Sequence, residues 1–138
     1  MDKTFKVNII TPGAPTITVE IQSLHTRSND GEVEFRRNHT PIILSTVPTV
    51  TKIVKADGSS ESYFTSSGIV LIKNNLINFC CDSAEKPENI DLNRAMQSKE
   101  RAENRLKKAK SSDIDEKRVK LALARAMARI ESVNIYQN

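Results

Sequence analysis

The last third of this sequence lacks glycine and proline. All four glycines and all five prolines lie at or before Pro87, and so does every aromatic residue except Tyr136. Turns and half-buried strands draw on those residue types, so their absence after Pro87 argues against β-structure there and leaves helix. Long apolar runs are also missing. No stretch approaches the roughly 20 residues of a membrane-spanning helix. The opening MDKTFKVNII has no apolar signal core followed by a small-residue cleavage site. The expectation is a cytoplasmic protein, or one on the cytoplasmic side of a membrane. Cysteine is scarce: Cys80 and Cys81 are adjacent. Neighbours in a strand point to opposite faces, which argues against a disulfide between them, and they lack metal-site spacing. One is expected buried and the other at the surface. His25 and His39 have no acidic or cysteine neighbours at ligand spacing, and no G-x-x-x-x-G-K-[ST] phosphate loop is present. No catalytic residue and no metal site is expected.

What is present divides in two. Up to Lys86 the chain carries nine basic and nine acidic residues. The remaining twelve basic and eight acidic residues hold all of the net charge of +4. Any anionic partner therefore meets the C-terminal third first. The first part reads as short strands. Ile17, Val19 and Ile21 alternate with Thr18, Glu20 and Gln22, the period of a half-buried strand. Asn29-Asp30-Gly31, Asp57-Gly58 and Asn74-Asn75 mark turns. Further strands are expected in FKVNIIT, EVEFR, IILSTV, VTKIV, ESYFTS, IVLIKN and LINFCCD. Close spacing without intervening helices predicts an antiparallel β-sandwich over residues 1–86.

Residues 87–138 read as two helices. The first runs from Ile90 to Ala109 with a stripe of Leu92, Ala95, Ala102, Leu106 and Ala109, interrupted by Lys99. The second runs from Ile114 to Ile135 with Val119, Leu123, Ala126, Ile130 and Val133. Asp113 as N-cap with Glu116 three positions on forms a capping-box pattern, and the chain is expected to fold back near Ser111 into an antiparallel hairpin. Narrow, alanine-rich stripes bury little area, worth a few kcal/mol at about 25 cal/mol per Å². Such a hairpin must rest on the sandwich, on another protein, or on each at different times.

Arginines run along both helices: Arg94, Arg101 and Arg105 on the first, and Arg118, Arg125 and Arg129 on the second, each set spaced seven and four apart. Antiparallel pairing brings Arg94 level with Arg125 and Arg129. Asp91, Glu131 and Glu85 or Glu88 are the counter-charges nearby. Guanidinium forks packed together suit phosphate oxygens. The alternative is ordinary ion pairing on a solvated helix face.

Several stretches carry a resemblance. NDGEVEFRRNHTPII, FTSSGIVLIKNNLINFCCDSAE, the hexapeptide IDLNRA and DIDEKRVKLALARAMARI follow one another in the order seen in the epsilon subunits of F-type ATP synthases. The chain resembles that family from end to end, departing from its pattern at Val33–Arg37 and Val47–Val50. The resemblance implies a non-catalytic rotor subunit of the central stalk, peripheral at the cytoplasmic face of the cell membrane. Its implied partners are the gamma subunit, the c-ring and the catalytic beta subunit. Glu32, Arg36, Arg37, Asn38 and His39 lie on the stretch resembling the ring-facing and gamma-facing loop. The IDLNRA motif implies ATP as a regulatory ligand, with no other cofactor, held by Glu85, Asp91, Arg94, Ala95, Arg101, Arg125 and Arg129. An extended second helix would offer Lys117, Arg118, Lys120, Arg125 and Arg129 to the beta subunit and inhibit ATP hydrolysis. A rival expectation is a nucleic-acid-binding module built on the basic hairpin. Against it, the hairpin carries eight acids and only Tyr136 for stacking.

Overall fold

A computed structural model describes residues 3–108 and 113–137, with backbone only at 113–115. The strands are β1 (Phe5–Ile10), β2 (Ile17–Ser28), β3 (Gly31–Arg36), β4 (Ile42–Thr46), β5 (Thr49–Lys55), β6 (Ser60–Thr65), β7 (Gly68–Lys73), β8 (Leu76–Cys81) and β9 (Ala84–Glu85). A 3-10 turn at Pro87–Asn89 leads into α1 (Leu92–Lys108) and α2 (Asp113–Gln137). Strand β2 is long enough to serve both layers of the sandwich. Its first half pairs with β1 and its second with β3 and β5, and the register shifts between Ile21 and Ser23. One layer is β1-β8-β7-β4 and the other β3-β2-β5-β6-β9. The pairings are antiparallel except β1 with β8, which is parallel and departs from a purely antiparallel sandwich.

Alternation along each strand builds the core. Phe5, Val7, Ile9, Ile21, Leu24, Phe35, Ile53, Val70, Ile72, Ile77 and Phe79 meet between the layers. Thr26, Thr51 and Thr65 are buried on β2, β5 and β6, and their hydroxyls join in a chain at 2.8 and 2.7 Å, which satisfies groups that would otherwise be costly there. Gly68 is required where β7 crosses β8: a methyl there would come within 2.2 Å of the Cys80 carbonyl oxygen. Asn74 and Asn75 both adopt positive φ in the β7–β8 turn, a conformation asparagine tolerates at small cost.

Cys80 is exposed and Cys81 buried, as strand alternation predicts. Burial pushes the Cys81 thiol up to about 11, with smaller contributions from Cys80 and Asp82. Only the thiolate is nucleophilic, so iodoacetamide at about pH 8 should modify one thiol per folded chain and two after unfolding. Mass spectrometry checks this. Rapid double modification of the folded chain would mean that Cys81 is open to solvent.

Helix α1 starts at Leu92 rather than Ile90, because Asp91 is its cap: Asp91 Oδ1 accepts the Arg94 backbone N–H at 3.1 Å. Residues 109–112, with the expected fold-back near Ser111 and the stripe end at Ala109, lie outside the described residues, as do the Asp113 cap contacts. The two helices pack on each other, and α2 also packs on β5, β6 and the 3-10 turn. Ala95 and Ala102 are buried on α1. On α2 the buried residues are Ala126 and Val133 of the expected stripe, together with Ala128 and Ser132. These small side chains give α2 a second buried face.

Candidate functional site

The docking of α2 decides where the predicted nucleotide residues go. Register places Val50, Phe64 and Glu85 side by side on the outer face of β5, β6 and β9. Arg129 reaches this face. Its Nε and Nη2 donate to the two Glu85 carboxylate oxygens at 3.2 and 3.0 Å. Its guanidinium also stacks 4.4 Å from the centre of the fully buried Phe64 ring. A fork-to-carboxylate pair with an aromatic floor is a strong form of ion pair. Two residues expected to face ATP, Glu85 and Arg129, are thus engaged with each other in this hairpin position.

The others lie along α1 and α2. Asp91 caps α1, and Arg94 in its first turn is exposed. Ala95 is buried under that turn. The exposed Arg101 donates from Nη2 to the Ser98 hydroxyl at 3.3 Å. Of the other expected arginines, Arg94 and Arg101 thus stand in solvent on α1 and Arg125 is half-buried on α2. Among the described residues no group of three metal-ligating side chains comes together. Lys117, Arg118 and Lys120, expected to meet the catalytic head, are exposed, and Lys120 pairs with Glu116 one turn away at 3.1 Å.

The loop residues separate into two places. Asn38, at φ 65°, donates its backbone N–H to Asn75 Oδ1 at 2.7 Å, and Asn75 Nδ2 donates to Asn38 Oδ1 at 3.2 Å. This zips the β3–β4 loop to the β7–β8 turn and sets Arg37, Asn38 and His39 at one end of the sandwich. His39 lies edge-on to Phe35 at 5.0 Å. Arg36 Nε donates to Glu34 Oε1 at 2.8 Å and holds that carboxyl below its ordinary range. Glu32 is not part of this end. It pairs in register with Arg27, four residues and about 13 Å back along β3.

A surface outside the predicted set lies on the other layer. Ile43 and Leu71 are register partners on β4 and β7, both pointing outward, and Ile69 lies two residues along. They are 65%, 41% and 50% exposed, and Cys80, the register partner of Ile69 on β8, extends the face. The signal for it is the unbroken Ile69-Val70-Leu71-Ile72 run, a strand apolar on both faces in a sheet with only one face in the core.

Comparison with known proteins accounts for this order of parts. Residues 4–87 match the ATP synthase delta/epsilon chain β-sandwich domain, and residues 88–134 match the delta/epsilon chain long alpha-helix domain. The ATP synthase epsilon chain of Clostridium novyi is 40% identical over 133 residues, 96% of this chain and 100% of that one. That of Clostridium kluyveri is 42% identical over 130 residues, 94% of this chain and 97% of that one. Among solved structures, a chain of the Euglena gracilis mitochondrial ATP synthase (OSCP/F1/c-ring, rotational state 1) superposes with a TM-score of 0.79 at 16% identity, covering 100% of this chain and 84% of that one, a likeness of fold. With sandwich, hairpin and near-full-length relatives in agreement, the chain belongs to the ATP synthase delta/epsilon chain family, among its bacterial epsilon chains.

Proposed function

We propose that this chain is a non-catalytic central-stalk subunit whose sandwich joins the rotor and whose hairpin regulates ATP hydrolysis in response to ATP. The gamma subunit covers the outward face of Ile43, Ile69 and Leu71, and the end bearing Arg36, Arg37, Asn38 and His39 faces the c-ring. The chain reaches the membrane through that assembly; among the described residues no helix is long and apolar enough to cross a membrane.

The observation that carries the regulatory reading is the way α2 is held: a half-buried pair, Arg129 with Glu85, fastens a helix whose Lys117, Arg118 and Lys120 remain in solvent. Undocked, that basic face would meet an acidic segment of the beta subunit. Docked, Arg94, Arg101 and Arg125 take the phosphates of ATP, with Asp91 beside the base or ribose. ATP moves this balance only through its higher affinity for the docked hairpin. At a hundredfold excess over its dissociation constant it contributes about 2.7 kcal/mol, enough to reverse a modest bias. Calorimetry on the isolated chain tests this. ATP should bind saturably, and Arg94→Ala should weaken binding by about tenfold, the loss expected of one charge-assisted phosphate contact. No binding heat at millimolar ATP would reduce IDLNRA to a capped helix start.

A further inference from the structure

Farther along the hairpin, away from Asp91, the two helices enclose a groove of about 220 Å³ with three arginines on its rim. Arg101 and Arg105 come from α1, one turn apart, and Arg118 comes from α2 opposite. Ala102 and Ala122 line it, small enough to let the helices approach and bring both sets of side chains over one space. Among the described residues no carboxylate lines the groove.

Ordinary helix-face pairing does not account for the α1 arginines. The positions three and four away from Arg101 are Gln97, Ser98, Asn104 and Arg105. Those around Arg105 are Arg101, Ala102, Lys108 and Ala109. None is acidic, and Glu100 and Glu103 fall on other faces of the helix. Arg101 is satisfied only by the neutral Ser98 hydroxyl among the described residues. The acid in helical register with Arg118 is Asp115, whose side chain lies outside the described residues. Three like charges over one groove repel each other unless an anion sits between them.

We infer that this groove binds a compact phosphate anion of the diphosphate class, and that the bound anion staples α1 to α2. The volume is below the roughly 300–1,000 Å³ of pockets for drug-sized ligands, so an inorganic anion fits better than a nucleoside. Guanidinium forks from both helices match its several oxygens. The site shares only Arg101 with the proposed ATP set and does not depend on that reading. It makes the hairpin responsive to phosphate species without base or ribose.

The test uses the full chain and pyrophosphate at constant ionic strength, followed by calorimetry and hydrogen exchange. Saturable binding is expected, with slower exchange in both α1 and α2. Arg105→Gln and Arg118→Gln, which preserve helix propensity, should each weaken binding by about tenfold. Lys107→Gln, outside the groove, should leave it unchanged. Non-saturating binding, unaltered affinity in both arginine variants, or an equal loss with Lys107→Gln would each overturn the site in favour of diffuse charge. Because Arg105 and Arg118 lie outside the ATP set, failure here leaves the ATP reading standing. A chain that takes pyrophosphate but no ATP has the opposite result.

Discussion

Changing Ile43 and Leu71 together to glutamate is expected to abolish capture of the gamma subunit while leaving the fold intact. The two are register partners on β4 and β7, and both point away from the core. In the free chain the new carboxylates stay in water, and their mutual repulsion costs at most about 1 kcal/mol. Against an apolar partner, each would be desolvated without a counter-charge, at several kcal/mol apiece. Binding should fall by at least about a hundredfold, since each 1.4 kcal/mol is a factor of ten. Co-expression with gamma and co-purification reads the loss, and circular dichroism reads the fold. Cys80 gives an independent measure, because it sits in register beside Ile69. Bound gamma should protect Cys80 from alkylation in the wild type and not in the variant. Full capture by the variant would move the gamma contact elsewhere, with the Arg36–His39 end the first candidate.

Arg129→Ala should release α2 from the sandwich without unfolding it. The side chains of Arg129 and Glu85 are 30% and 32% exposed, so solvent screens the pair only in part. The substitution removes two charge-assisted hydrogen bonds and the contact with Phe64, and it leaves Glu85 half-buried without its partner. A loss of about 1–3 kcal/mol follows. Amide exchange in the C-terminal half of α2 should then accelerate by about 5- to 150-fold, with β-sheet amides unchanged. Arg129→Lys keeps the charge but not the fork, and should recover only part of the protection. Unchanged exchange in α2 would show that its small-residue face holds it unaided.

The parts of this architecture that local chemistry dictates were legible in the sequence. Ile17, Val19 and Ile21 mark their strand by alternation, and Asn74-Asn75 and Asp57-Gly58 supply their turns, whereas α1 starts two residues later than the sequence suggests, because Asp91 serves as its cap rather than as a counter-charge. Long-range pairing was not legible. Strand β9 is two residues long and exists only because β6 lies beside it. The parallel β1–β8 pair joins segments about 70 residues apart. Glu85 and Arg129 are 44 residues apart, and each satisfies the expected features of a phosphate or base contact until docking brings them together. The apolar outer face was overlooked for a related reason: Ile69 and Leu71 look like core until the register sends them outward. On α2, Ala128 and Ser132 escaped the stripe because a close-packed face can be made of residues with little hydrophobicity.

Ser132 gives that packing a further meaning. It is 0% exposed, and its hydroxyl has no hydrogen-bond partner among the described residues. A hydroxyl stripped of water and given nothing in return costs about 1–3 kcal/mol. The cost exists only while α2 is docked, because an undocked helix returns the hydroxyl to solvent. In the switch proposed above, Ser132 would act as a counterweight to the Arg129 latch, trimming the lead of the docked state to a margin that an effector could tip. Every 1.4 kcal/mol of trim shifts the effector concentration at the tipping point about tenfold. On that proposal, the threshold of the switch would be set in part by a side chain outside the arginine set.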